Sequence, residues 1–245
     1  MTTITTTIGE IVRGDTEVFP PYLYEAYQST RRRAPRLPLI DVPLTLSEFT
    51  GPGPAISAVT AEDADLTRNA GTGGEAIGQR IIVTGRVLDE RGAPVPNTLV
   101  EVWQANAAGR YIHRVDQWPG PLDPNFLGIG RCLTDAEGVY RFLTIRPGAY
   151  PWKNHPNAWR PAHIHFSLFG PSSVSRLVTQ MYFQDDPLFD LDPIFQSIPT
   201  EAARRRLVAA YAHDVTEPEW ALGWRWDIVL RGPEATPFEA PAGVK

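Results

Sequence analysis

Two histidines one residue apart, within Arg160-Pro-Ala-His-Ile-His-Phe-Ser-Leu-Phe169, are spaced so that both could reach a single metal ion. If this segment is a β-strand, residues i and i+2 share a face, so His163 and His165 project together with their Cα atoms about 6–7 Å apart. Ala162, Ile164, Phe166 and Leu168 then face the other way and suit a protein core. The histidine face has two readings that spacing alone does not separate: a pair of imidazole ligands, or two hydrogen-bonded histidines on a half-exposed strand. Carboxylates are the usual companions of two histidines at ferrous and zinc centres, yet Asp185, Asp186 and Asp192 come only after the next apolar run. The nearest oxygen donors upstream are Tyr150, in Pro147-Gly-Ala-Tyr-Pro-Trp152, and Tyr111, in Ala107-Ala-Gly-Arg-Tyr-Ile112. Each stands in a loop just beyond a strand, where a side chain can be aimed rather than packed. Taken singly, such a tyrosine is ordinarily a packing residue.

The elements that must position these side chains are mostly short β-rich runs joined by turn chemistry. They are Ile81 to Leu88, Thr98 to Trp103, Val139 to Ile145, Ala162 to Phe169, Leu177 to Phe183 and Trp224 to Leu230. Six or more short strands with Gly, Pro, Asp and Asn joints predict a mainly β chain with an antiparallel β-sandwich core and few short helices. One helix is expected over Glu201 to His213, opened by Pro199-Thr200, with Leu207, Val208 and Tyr211 at the helical period. Residues 1–80 are proline-broken, and they read as a long irregular segment that wraps the sandwich of residues 81–245. Within that segment a short helix is expected at Pro21 to Arg31, and another could start at Thr45 with Glu48 completing a capping box.

Composition narrows the classes. The chain has 245 residues and a net charge of −5, without the clustered cationic face that nucleic acid requires. Its single cysteine, Cys132, rules out an intrachain disulfide framework and a cysteine-rich metal site; it is expected to be an inert buried thiol. No apolar run approaches the ~20 residues of a membrane helix and the N-terminus has no secretory character, so a cytoplasmic protein is expected.

Several longer motifs bear on the histidine pair: Asp65-Leu-Thr-Arg-Asn-Ala-Gly71, Glu101-Val-Trp-Gln-Ala-Asn-Ala-Ala-Gly-Arg-Tyr111, Gly148-Ala-Tyr-Pro-Trp152, Asn154 through His165, and Thr216-Glu-Pro-Glu-Trp-Ala-Leu-Gly223. On these the chain resembles the iron-bearing β subunits of protocatechuate 3,4-dioxygenases, of the intradiol ring-cleavage family. The resemblance implies one non-haem ferric ion per chain, held by Tyr111, Tyr150, His163 and His165, with Tyr150 and His163 axial. It also implies a catechol that chelates the ion and displaces Tyr150, which takes up a substrate proton. Arg160 is then a fixed cation beside developing negative charge, with a salt bridge at a strand start as its plainer role, and Gln180 hydrogen-bonds near the reacting centre. Tyr27 and Trp152 are implied to bind the ring carboxylate, and a homologous α subunit to close the site as partner in a hetero-oligomer. The chemistry agrees with the donor types: two phenolates and a hydroxide offset three positive charges, and a phenol with a pKa of about 10 ionises readily only on a strongly Lewis-acidic ion.

Other readings stand beside this one. Catechol or hydroxyquinol 1,2-dioxygenases share the metal chemistry but carry a helical N-terminal region, unlike residues 1–80 here. A zinc hydratase would need a third imidazole, for which His113 and His155 are candidates, although both look like surface residues. A transthyretin-like binding sandwich is suggested by Val87-Leu-Asp-Glu-Arg-Gly-Ala-Pro-Val-Pro-Asn97. Trp103 and Trp159 are expected to back the site or fill the core.

Overall fold

The computed structural model describes residues 18–38, 58–170 and 176–238. Its strands are β1 (Arg80–Leu88), β2 (Leu99–Gln104), β3 (Ile129–Leu133), β4 (Val139–Ile145), β5 (Tyr150–Pro151), β6 (Trp159–Arg160), β7 (His163–Phe169), β8 (Leu177–Phe183), β9 (Val208–Tyr211), β10 (Leu222–Arg225) and β11 (Ile228–Val229). Its α-helices are short: α1 (Thr30–Arg33), α2 (Pro193–Gln196) and α3 (Glu201–Arg205). The strands hydrogen-bond in the order β11-β1-β10-β9-β8-β7-β2-β3, with β4 on the other side of β1 and β5 paired with β6 alone. Most ladders are antiparallel, as expected; β1 with β10, β1 with β11, and β8 with β9 run parallel.

This path folds over on itself, and its inner faces meet on a shared aromatic centre. The ring of Phe166 on β7 stands edge-on to Tyr140 and Phe142 of β4, with centroids 5.7 and 6.3 Å apart, and to Trp226 at 4.9 Å. Phe166, Ile164 and Leu168 are fully buried, so the apolar face read from alternation is the core face. Each such side chain contributes about 1.5–3 kcal/mol through burial. Tyr140 is also in that centre, and its hydroxyl donates to the Trp226 carbonyl at 2.6 Å.

Three expected elements differ in the structure. In place of a helix over Pro21 to Arg31, Tyr27 and Thr30 close successive four-residue turns, and the Thr30 hydroxyl hydrogen-bonds the carbonyls of Tyr24 and Tyr27. A side chain that competes for backbone groups in this way favours turns over helix, and α1 begins only at Thr30. The Glu201 helix is capped at Thr200 as expected, its hydroxyl accepting from the Ala203 N–H, but it ends at Arg205. Val208 to Tyr211 instead fill the gap between β8 and β10, pairing Val208 with Tyr182 and Tyr211 with Trp224. The run from Trp224 to Leu230 is split where the Trp226 indole N–H donates to Arg206 and Asp227 accepts from the Arg86 N–H. The expected helix start at Thr45 lies outside the described residues.

The described part of the first eighty residues lies on the sandwich. Leu66 is in the core and its N–H donates to Leu143, while Asn154 bonds both Gln28 and Ala26. Phe19 stacks on Phe238 near the other end of the described chain, with centroids 4.4 Å apart.

Cys132 is buried on β3, and desolvation pushes its thiol up to about 12. At pH 8 it is therefore a neutral thiol. Ellman's reagent is expected to leave the folded chain unlabelled and to titrate one thiol in guanidinium; rapid labelling of folded protein would place Cys132 at the surface.

Candidate metal centre

Strand β7 runs between β2 and β8, and its register decides what surrounds the histidines. His165 lies opposite Trp103 on one side and Gln180 on the other, and His163 lies opposite Tyr182. Directly paired residues of antiparallel strands share a face, so these five side chains form one patch behind the site. The Trp103 indole stacks flat on the His165 ring, with centroids 4.7 Å apart and planes 3° from parallel. That contact fixes the rotation of the imidazole. Trp159 packs edge-on against Trp118 at 6.0 Å.

The two tyrosines come from loops that interlock through glycine. After β2, the Asn106 side-chain oxygen accepts from the N–H groups of Ala108 and Arg110, both at 2.9 Å, and its carbonyl accepts from the Gly148 N–H at 2.9 Å. A Cβ on Gly148 would collide with the Ala107 carbonyl and come within 2.7 Å of the Gly109 nitrogen. Gly109 has φ +74° and faces the Ala149 carbonyl in the same way. Glycine at both positions lets the two backbones touch. Tyr111 is further held by its N–H, which donates to Asp116 at 2.8 Å. Tyr150 is held by the two-residue ladder that pairs it with Arg160.

The four side chains converge. Ring centroids are 5.5 Å apart for Tyr111 and Tyr150, 5.6 Å for Tyr150 and His163, 4.9 Å for His163 and His165, and 6.5 Å for Tyr111 and His165. The His163 Nδ1 lies 2.7 Å from the Pro161 carbonyl, which can only accept, so Nδ1 carries the proton. Its Nε2 lone pair is then directed outward, 3.4 Å from the Tyr150 hydroxyl. Burial, and after it the Arg160 guanidinium and His165, holds the His163 pKa well below the usual imidazole range. The ring is therefore neutral at neutral pH, the state a metal ligand needs.

These residues fit a ferric ion. Donors with bonds of about 2 Å to a common ion lie roughly 3–4 Å from each other, which is the spacing of the Tyr150 oxygen and the His163 nitrogen. Two ionisable phenols with two imidazoles form a hard set, anionic once the phenols ionise, that matches a trivalent ion better than zinc. Among the described residues, no group of three or more His, Cys, Asp or Glu is placed to hold a metal. His113 and His155 are both exposed and away from such a group, so the three-histidine reading has no counterpart there.

Arg160 has the ion pair that its plainer reading anticipated. Its Nε lies 3.2 Å from Asp192, its Nη2 donates to Tyr182 at 3.1 Å and also to the Gln180 side-chain oxygen, and all four residues are buried. On the other side, Trp152 lies 5.8 Å from the Arg160 guanidinium carbon and edge-on to Tyr27 at 5.5 Å. The eight residues expected at the site thus fall in one contiguous region. Sequence reasoning did not find Asp192 or Tyr182 as part of it. The signal for Asp192 was its place before Pro193, a helix-capping pattern; for Tyr182 only strand register brings it in.

A sequence model of the family described as Dioxygenase matches residues 52–232, and one described as Protocatechuate 3,4-dioxygenase beta subunit N terminal matches residues 12–45. The chain is 61% identical to the protocatechuate 3,4-dioxygenase beta chain of Burkholderia cepacia, over 90% of this chain and 93% of that one. It is 28% identical to the protocatechuate 3,4-dioxygenase alpha chain of Pseudomonas putida, over 82% and 98% of the two chains. In fold it is similar to catechol 1,2-dioxygenase from Acinetobacter sp. ADP1, with a TM-score of 0.52 at 23% identity, covering 74% of this chain and 60% of that one.

Proposed function

The chain belongs to the dioxygenase family, and from that premise we propose that it is the iron-bearing chain of an enzyme that opens the ring of protocatechuate between its two hydroxyls. Dioxygen is the co-substrate and 3-carboxy-cis,cis-muconate the product. The observation that carries this reading is the convergence of two phenols and two imidazoles on one point.

Tyr111, Tyr150, His163 and His165 would hold one ferric ion. When bound, that ion supplies the Lewis acidity that makes a catechol easy to deprotonate and its ring carbon open to attack by dioxygen. The chain's residues do the rest. Tyr150, on its two-residue ladder, accepts a substrate proton at its phenolic oxygen as it yields its place. His163 stays neutral because it is buried beside the Arg160 guanidinium, while its Nδ1 proton, donated to Pro161, leaves the Nε2 lone pair available. Arg160 sets a permanent positive charge against the charge that develops on the opening ring, inside a buried network where that charge is weakly screened. Gln180 orients the reacting groups by hydrogen bonding from the strand opposite His165. Tyr27 and Trp152 form the edge that meets the ring carboxylate.

A homologous α chain is the partner, as the names of the beta and alpha relatives suggest for those proteins. Residues 1–80 then serve as the wrapping and inter-subunit segment. Among the described residues no helix is long and apolar enough to cross a membrane, and together with the lone cysteine this supports a cytoplasmic enzyme. The match of residues 12–45 to the protocatechuate-type beta N-terminus favours this substrate over catechol or hydroxyquinol.

Oxygen uptake by the purified α/β complex tests the proposal. Protocatechuate is expected to be consumed at least about tenfold more efficiently than catechol, a ratio worth ~1.4 kcal/mol of carboxylate recognition, with one dioxygen taken up per ring opened. Equal or inverted preference would move the chain to the catechol type. An iron-loaded complex with no uptake on either diol would leave only a binding sandwich.

A further inference from the structure

We propose that Asp192 and Tyr182 are positioning residues for ring cleavage, clamping the Arg160 guanidinium and the Gln180 amide in the orientation that the reaction uses. The proposal rests on the roles assigned above to Arg160 and Gln180. The Asp192 carboxylate is fully buried and its two oxygens have separate duties. Oδ1 accepts from the Ile194 N–H at 3.1 Å and so caps α2, whose first residue is Pro193. Oδ2 lies 3.2 Å from both the Arg160 Nε and the Tyr182 hydroxyl. The capped helix is therefore the fixed anchor, and the carboxylate carries its position across to the guanidinium.

Tyr182 completes the clamp. Its hydroxyl accepts from the Arg160 Nη2 at 3.1 Å, and its single proton is shared between the Gln180 Oε1 at 2.9 Å and Asp192. Gln180 Oε1 also accepts from Arg160. Both donors to Gln180 thus meet the oxygen, which settles which end of its amide faces the guanidinium. The Tyr182 ring cannot swing to loosen these bonds, because Phe189 and Phe195 pack edge-on against it at 5.9 and 5.0 Å. Asp192 meets Arg160 through Nε, while Nη2 is given to Gln180 and Tyr182, so separate partners hold separate nitrogens of the guanidinium. The arrangement aims the guanidinium. A charged group held to within a fraction of an ångström is what electrostatic stabilisation of a transition state needs.

The test uses the iron-loaded α/β complex and four variants. Asp192→Asn keeps an oxygen to cap α2 but sets an amide donor against a guanidinium donor. It is expected to lower kcat by roughly 10²-fold, with iron content and visible spectrum unchanged and KM little altered. Tyr182→Phe keeps the ring contacts, loses the hydroxyl, and is expected to lower kcat by about tenfold. Arg160→Gln is measured alongside, and the double variant Arg160→Gln with Asp192→Asn is expected to be no slower than Arg160→Gln alone, since Asp192 acts through the guanidinium. Additive losses in the double variant would mark Asp192 as merely structural and overturn the inference. So would wild-type turnover in Asp192→Asn and Tyr182→Phe while Arg160→Gln is slow, and in that case the role of Arg160 stands. Wild-type turnover in Arg160→Gln would overturn both. If Asp192→Asn does not fold, Tyr182→Phe decides alone: a lower kcat at full iron content supports the clamp, and an unchanged kcat refutes it.

Discussion

Replacing Tyr150 by Phe is expected to lower turnover of protocatechuate by about 10²–10⁴-fold and to weaken and shift the visible absorption of the iron-loaded protein. The substitution removes one oxygen and keeps the ring. Contacts with Tyr111 and His163, at centroid distances of 5.5 and 5.6 Å, therefore survive, and the thermal midpoint should move little. What disappears is the phenolic oxygen 3.4 Å from the His163 Nε2, the atom assigned both to the ion and to the substrate proton. The loss in rate should fall on the step in which the diol is deprotonated, seen in stopped-flow traces as slow development of the substrate-bound spectrum. An unchanged visible band would take Tyr150 out of the coordination sphere.

Gly148→Ala should produce a loss of similar size by a different route. The added methyl group has nowhere to go, since the Ala107 carbonyl and the Gly109 nitrogen occupy its place. Relieving that overlap pushes apart the loops that carry Tyr111 and Tyr150. Overpacking of this kind costs about 1–3 kcal/mol of stability, and a shift of about 1 Å at the reacting groups can cost roughly 10²-fold in rate. Iron content and turnover are expected to fall together while the far-ultraviolet circular dichroism stays that of the wild type. Full iron occupancy with normal turnover would show that the two loops do not depend on this contact.

The strands that are legible in sequence are those whose burial alternates or runs apolar: β1, β2, β4, β7 and β8 lie within a residue of their expected bounds. β9 has the sequence pattern of a helix because Leu207, Val208 and Tyr211 satisfy a helical period as well, and only the unfilled sheet position between β8 and β10 decides against it. β3 escaped notice since it holds Gly130 and an exposed Ile129, a pattern without alternation. At the site, spacing disclosed the histidine pair and nothing more. The tyrosines came from motif resemblance, because each depends on a backbone approach at glycine that no periodicity reports. Asp192 and Tyr182 reach Arg160 through register and a helix cap, which are properties of the assembled sheet.

The four donors differ in how firmly the fold grips them. His163 and His165 stand on a strand bonded along both edges, whereas Tyr150 stands on a two-residue ladder with one neighbour. Opening energy scales with the cooperative unit that must break, so the imidazoles belong to a large unit and the Tyr150 phenol to a small one that costs less to open. On the proposed reading, the ligand that departs when substrate binds would be the one on the smallest ladder, and the ion would keep its address on the strand.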